Sequence, residues 1–412
     1  MIQYKKAIIK LKKNKLNIKN ELILVEESLN RISASDLKSP NNYPSADNSA
    51  FDGYAVVSSE TKNLKKNNPK KFRIIKTLAA GDNPNLSKLN KFSTIEIMTG
   101  AIIKKPFDTI IPIENIKFYP DKKKAKFILI NKKLKKNNYI RFSGSDFKKG
   151  DNIIRKGDVV NPNHILAFKS LGIKKILVKK KPKIVFYSTG NEISNTNKVP
   201  NLKIRNSNSF YIKSLVKNLP FEFEERKILR DHDQKKFKKE LNINLKSSID
   251  LIITSGAVSA GKFDFVPQII KNFKSNYSFK NSLIRPGKPI MFTKFKNNKA
   301  FFGLPGNPIS SAACFRFFVL PFLYFSLHFK QNKPIRAKIK KSFIKKKKFT
   351  RFIKGRLSFS DRGIAYFEIL KGQESFRIKP FVISNCWALF PSGKQKFKKG
   401  DHIECYSPTG IN

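Results

Sequence analysis

Residues 250–270 read DLIITSGAVSAGKFDFVPQII. An apolar run, Leu251 to Ile253, enters a loop of small residues, the loop closes on Asp264, and the segment FVPQIIKNF (265–273) has helical spacing. A buried strand feeding a glycine loop and then a helix is half of a βαβ unit. Working outward, KIVFYS (183–188), FEFEERKI (221–228) and PIMF (289–292) read as further strands, and SFYIKSLVKNL (209–219) as a helix between them. Apolar strands alternating with helices predict a mostly parallel α/β sheet domain over 181–329.

Ligands of open α/β sheets bind outside the carboxyl ends of the strands. The polar clusters of this region lie there: STGNE (188–192), RDHD (230–233) and TSGAVSAGKFD (254–264), with the knots RPGKP (285–289) and LPGNP (304–308) on either side of the last strand. Only 19 of the 412 residues are glycine, yet Gly256, Gly261, Gly287, Gly303 and Gly306 fall within this stretch. Glycine lets backbone N–H groups approach a ligand, and a helix starting near Ser259–Asp264 would add its dipole. Arg285 and Lys288 add positive charge, so the crevice is predicted to take a phosphate or another oxyanion. Glu192, Asp231 and Asp264 would converge on it, and carboxylates beside a phosphate site commonly hold Mg²⁺. Taken singly, each acid also reads as a helix N-cap or a solvated loop residue. Neither a Walker A pattern nor GxGxxG occurs.

Elsewhere, residues 1–30 read as helix, and about 54–140 as a β-rich segment of short runs (YAVV, FRIIKTL, TIEIMTG, TIIPIE, KFILI). Helix returns around NHILAFKSLGI (163–173), and short β runs resume after 330. SSAACFRFFVLPFLYFSLHF (310–329) has the length of a membrane span, but Arg316 and Pro321 interrupt it, so it reads as a buried helix with no membrane span expected. Three scattered cysteines, no CxxC and no apolar leader segment fit a reducing cytoplasm.

Net charge is +56, from 85 Lys+Arg against 29 Asp+Glu. Lysine is spread along the whole chain with Asn, Ile and Phe, all encoded by A/T-rich codons. Compositional drift therefore accounts for the charge, and no specific nucleic-acid partner is expected.

The set DNSAFDGYAV, IMTGAIIKKPFDTIIPIE, GSDFKKGD, SLGI, STGNEI, ITSGAVSAGKFDF, RPGKP and FFGLPGNPIS, in that order, resembles the molybdopterin molybdenumtransferase family, the MoeA-type enzymes related to the gephyrin C-terminal domain. The likeness runs over roughly residues 15–330, with a weaker echo in GQESFRI and SNCWALFP. It implies an α/β multidomain protein: a helical domain split over 1–45 and 141–180, an inserted β domain at 46–140, the molybdopterin-binding α/β domain at 181–329 and a β-barrel at 330–412. It implies a homodimer that converts adenylylated molybdopterin and molybdate to molybdenum cofactor and AMP with Mg²⁺. Partners would be a molybdopterin adenylyltransferase and apo-molybdoenzymes. By motif, Asp52, Thr99 and Asp146 would reach in from the second protomer, and Glu192, Asp231, Asp264 and Lys288 would complete the catalytic set. Asp264 and Glu192 would place the metal. Ser255, Gly256, Ser259, Arg285, Lys288, Gly306, Asn307, Pro308 and Ser375 would bind the cofactor. A tungstate-inserting paralogue, or a relative that binds without chemistry, shares these motifs. Phe51 stands in place of methionine, Ala257 in place of the second glycine of a pair, Asn191 and Asn206 in place of aspartates, and Arg285 in place of lysine. Alanine suits position 257 only if φ is negative there.

Overall fold

The computed structural model describes residues 1–412 apart from 87–88, 197–200, 259–263, 332 and 410–412. The chain forms two compact units: Met1–Ser35, Lys156–Pro162 and Lys175–Asn412 make one, Asp36–Arg155 and Asn163–Lys174 the other.

The second unit is built on six strands, β1 (Gly53–Val56), β2 (Lys70–Leu78), β3 (Ser93–Ile97), β4 (Thr109–Pro112), β5 (Lys117–Tyr119) and β6 (Phe127–Ile130). They lie in the order β4-β1-β3-β2-β6-β5. Successive residues of β1 pack into two different clusters, Ala55 with Ile95 and Ile97, and Tyr54 and Val56 with Phe72. A sheet apolar on both faces explains why these runs read as strands without clean alternation.

The first unit holds the predicted α/β sheet. Its strands are β7 (Lys183–Ser188), β8 (Glu222–Glu225), β9 (Leu251–Ser255), β10 (Ser275–Lys280), β11 (Met291–Phe295) and β12 (Ala300–Leu304), in the order β8-β7-β9-β12-β11-β10. The first four in that order are parallel. Ile184, Phe186, Leu251, Ile253 and Phe302 point into one core, while Val185, Tyr187, Ile252 and Phe301 point into another. Each buried side chain contributes about 1.5–3 kcal/mol, which fixes both faces of the sheet. Helix α2 (Ser207–Val216) packs on the first face through Ile212 and Val216. On the second lie α3 (Gln234–Lys246), through Phe237 and Leu241, and the short α4 (Val266–Lys271).

Four readings of the sequence change. Helix α1 covers only Tyr4–Lys13, where Ala7 and Leu11 are buried one turn apart. It stops at Asn14, whose Nδ2 donates to the Lys10 carbonyl at 2.9 Å. Asn20–Leu24, where exposure alternates with a period of two, is a strand antiparallel to Lys175–Lys179. The strand read at PIMF is β11, which runs antiparallel to β12. Helix α4 begins at Val266, after Asp264, and has only six residues.

The apolar stretch is one 20-residue helix, α5 (Pro308–Leu327), and 89% of its most apolar window is buried inside the protein. It has a π turn at Phe315–Val319. Pro321 cannot donate to the Phe317 carbonyl, and the Tyr4 hydroxyl donates to that oxygen instead, at 3.4 Å. The buried Arg316 donates from Nε to the Ser407 carbonyl at 2.7 Å.

After α5, strands β13 (Ile335–Ile339), β14 (Thr350–Phe359), β15 (Ala365–Ile369), β16 (Cys386–Phe390) and β17 (His402–Tyr406) run β14-β15-β13-β17-β16, and β16 pairs back to β14 to close a barrel. The short strand Ile284–Arg285 joins β14 in parallel, with Arg285 opposite Arg351.

Candidate functional site

β7, β9 and β12 are parallel, and the antiparallel β11 enters the sheet where they leave it. The loops 188–193, 255–258 and 304–308 and the RPGKP knot therefore gather on one edge. Gly256 opens the central loop at φ +100°, and a Cβ there would lie 2.5 Å from Thr189 Oγ1. Only glycine fits. Ala257 follows at φ +53°, the left-handed region, so the position does need a positive φ and the alanine is strained.

Glu192, Asp231 and Asp264 line one cavity of about 410 Å³, together with Gly256, Gly306 and Asn307. The Glu192 carboxylate folds over Gly190, where a Cβ would stand 2.4 Å from Oε2. Among the described residues no group of three His, Cys, Asp or Glu side chains is close enough to hold a metal alone. This donor set fits a Mg²⁺ ion that takes one or two carboxylates and completes its shell with substrate oxygens and water. Ser259 lies outside the described residues.

A smaller cavity of about 260 Å³ shares Glu192, Gly306 and Asn307 and adds Ser255 and Pro308. The Ser255 hydroxyl, expected to meet the ligand, is engaged by the scaffold. It donates to the Pro305 carbonyl at 3.2 Å and accepts from Asn208 Nδ2 at 2.8 Å. Asn208 also donates to the Gly306 carbonyl at 2.7 Å, so one carboxamide from the first turn of α2 ties two site loops together.

Asn206 is buried just before α2, against the end of β7. It accepts from Ser188 Oγ at 2.8 Å and donates to Asn195 Oδ1 and to Glu225 Oε1, both at 2.9 Å. Aspartate could not donate to Glu225, so the amide matches this setting. Asn191 accepts from the Asp231 N–H at 3.2 Å, a role that aspartate would serve equally.

A third cavity of about 640 Å³ collects the cations. Arg285, Lys288 and Arg351 line it with Ser375, and it shares Pro289, Pro305 and Asn307 with the acidic cavity. The Arg285 guanidinium sits 4.7 Å from the centre of the Phe349 ring. Burial, and then repulsion from Arg285, hold the Arg351 guanidinium below its ordinary pKa. Its Nε is buried with no hydrogen-bond partner. Two cations side by side beside an empty donor are what an incoming anion would relieve.

Ser375 is brought here by the loop 372–377, which wraps a buried ammonium. Lys354 Nζ donates to the carbonyls of Gly372, Glu374 and Arg377 at 3.0, 3.3 and 3.1 Å. Asn307 Nδ2 donates to Ser375 Oγ at 3.4 Å. Arg351, Lys354 and Asn208 were not singled out from sequence. Only the strand pairing across 66 residues brings Arg351 beside Arg285.

In the other unit, Asp52 Oδ1 accepts from the Thr99 N–H at 2.6 Å and from Thr99 Oγ1 at 2.8 Å. These bonds, the backbone one first, hold the Asp52 carboxyl below its ordinary pKa of 3.8. Asp146 lines a separate cavity of about 680 Å³, with Tyr43, Arg141 and Gly100, the neighbour of Thr99.

Fold and site define a multidomain α/β protein with an acid-lined and a cation-lined cavity at one edge of its sheet and an appended barrel. Three family models cover most of the chain: "MoeA N-terminal region (domain I and II)" matches residues 2–172, "Probable molybdopterin binding domain" residues 186–324 and "MoeA C-terminal region (domain IV)" residues 336–407. The chain belongs to the MoeA family. Molybdopterin molybdenumtransferases of Staphylococcus aureus strain Mu50 and of Staphylococcus epidermidis are each 29% identical to it over 407 residues, covering 98% of this chain and 94% of theirs. A solved molybdopterin biosynthesis MoeA protein from Pyrococcus horikosii superposes with a TM-score of 0.83 at 25% identity, covering 99% of both chains.

Proposed function

We propose that this protein is a molybdopterin molybdenumtransferase, taking adenylylated molybdopterin and molybdate to molybdenum cofactor and AMP. One observation carries the reading: the acid-lined and cation-lined cavities share Pro289, Pro305 and Asn307 as common walls. A substrate with a phosphoanhydride needs a carboxylate side for a divalent ion and a cationic side for oxyanions, close together. Arg285, Lys288 and Arg351 would hold molybdate, with charge-assisted bonds from the guanidinium forks. Ser375 and Asn307 would orient it. Glu192 and Asp264 would hold Mg²⁺, which supplies charge neutralisation of the phosphate oxygens. Asp231 lines the same cavity and would orient water and substrate there. Gly256 keeps the floor open to bound phosphate.

The resemblance supports a homodimer in which a second copy supplies Asp52, Thr99 and Asp146. The firm Asp52–Thr99 pairing fits a preformed contact group. A cytoplasmic setting is supported by three buried free cysteines, and a molybdopterin adenylyltransferase upstream and apo-molybdoenzymes downstream complete the sequence.

The test is AMP release from adenylylated molybdopterin with Mg²⁺, with and without molybdate. Molybdate-dependent release, with a product that activates an apo-molybdoenzyme, is the expected result. Bound substrate with no release would make this a binding protein, and faster release with tungstate would reassign the oxyanion. Light scattering checks the dimer, and an active monomer would end the shared-site model.

A further inference from the structure

The loop carrying Glu192 has an arrangement that its own sequence does not explain. The carbonyls of Gly190, Asn191 and Ile193 all accept from a single nitrogen, Arg230 Nη1, at 3.0, 3.1 and 2.8 Å. Three carbonyl dipoles aimed at one point repel each other unless a cation sits there. The same residue begins the turn that carries Asp231. Its backbone N–H donates to Asp233 Oδ2 at 2.9 Å, and the next N–H, of Asp231, donates to Asn191 Oδ1 at 3.2 Å. Around it the two segments continue the pairing of β7 with β8. Gly190 N–H donates to the Leu229 carbonyl at 3.0 Å, and Leu229 N–H to that of Ser188 at 2.9 Å.

We propose that Arg230 is a positioning residue: its guanidinium fixes the Glu192 loop against the Asp231 turn and so sets the spacing of two acids on the cavity wall. Arg230 is not among the described residues that line that cavity, so it acts through the loop and not on a ligand. Gly190 sits at φ +132° with the Glu192 carboxylate over it, a conformation open to glycine, so the direction of the loop's carbonyls is left to the bonds that hold them. Hydrogen bonds that orient metal-side ligands change affinity by about 10–100-fold when removed.

The consequence for metal affinity rests on the Mg²⁺ reading above; the consequence for loop order does not. Two measurements on the full chain separate them. Hydrogen exchange of the Asn191 and Glu192 amides should speed up about tenfold in Arg230→Met, with β7 and β9 unchanged. Mn²⁺ titration of the free protein, followed by electron paramagnetic resonance, should show affinity weakened about 10–100-fold, with Glu192→Gln as the reference for a lost carboxylate. Arg230→Lys, a point charge that reaches fewer carbonyls, should fall between, and it supplies the same comparison if the methionine variant does not fold. A variant that melts earlier but keeps wild-type loop exchange and Mn²⁺ affinity would overturn the assignment. A wild-type protein that binds no Mn²⁺ would remove the metal reading, and the exchange data would still decide the role of Arg230.

Discussion

The acidic and the cationic halves of the crevice are built in opposite ways. Glu192 and Asp231 ride on loops whose polar groups are satisfied, with Arg230 and Asn191 closing the network. Arg285 and Arg351 are brought together by a strand pairing, and among the described residues no carboxylate lines their pocket except Glu374, which is paired with Arg377 at 3.1 Å. The first half is organised before a ligand arrives, whereas the second is left short of negative charge. Preorganised acids favour a fixed geometry around phosphate, and an under-neutralised cation pair favours capture of a free oxyanion.

Breaking the acidic half should cost most. Glu192→Gln or Asp264→Asn should lower kcat/KM for molybdate-dependent AMP release at least about 100-fold, roughly 2.7 kcal/mol of transition-state stabilisation. An unchanged rate would remove these acids from the chemistry. Arg351→Gln should act differently, raising the molybdate KM about tenfold while changing kcat little, and weakening the salt dependence of capture. If kcat falls with KM unchanged, the contrast between the halves is wrong.

Asn206→Asp would put a carboxylate against Glu225, where the amide now donates at 2.9 Å. The paired acids would repel, so their folded pKa values would rise above the unfolded ones. Stability should therefore drop by about 1–3 kcal/mol at pH 8 relative to the natural chain and recover as pH falls through the raised values. Thermal unfolding at pH 5 and pH 8 measures this, and a variant equally stable at both would show that the amide is not needed. The smallest effect is expected in the central loop of the acidic cavity. Ala257→Gly relieves a positive φ but loosens the unfolded chain, so a gain of about 0.5–1 kcal/mol in urea unfolding is expected. A loss would mean that the packing of the alanine methyl against the core outweighs the strain.

The α/β sheet was readable because its strands are buried on both sides, and an unbroken apolar run such as Leu251–Ile253, ending in a glycine loop, fits little but a central strand. Direction was not readable: PIMF carries no mark of running against its neighbours, and yet that reversal is what puts RPGKP on the ligand edge. Helix α3 was not legible because Phe237 and Leu241 are thinly set among lysines, which leaves little apolar spacing to read. The site acids stood out through their glycine and serine surroundings. Arg351 had no such context, since its place depends on a pairing between residues far apart in sequence.

That pairing divides the labour of change within the crevice. One wall of the proposed oxyanion pocket belongs to the barrel, through Arg351, the Lys354-held loop of Ser375 and Arg285 on the short strand that joins β14, and the other leads into the sheet through Lys288, just before β11. If that pocket takes the oxyanion as proposed, substitutions confined to the barrel would reshape how large and how charged an anion is admitted, leaving the sheet-borne acids untouched. On the reading proposed above, selectivity and chemistry would lie on different pieces of the chain, so that the first could change without the second.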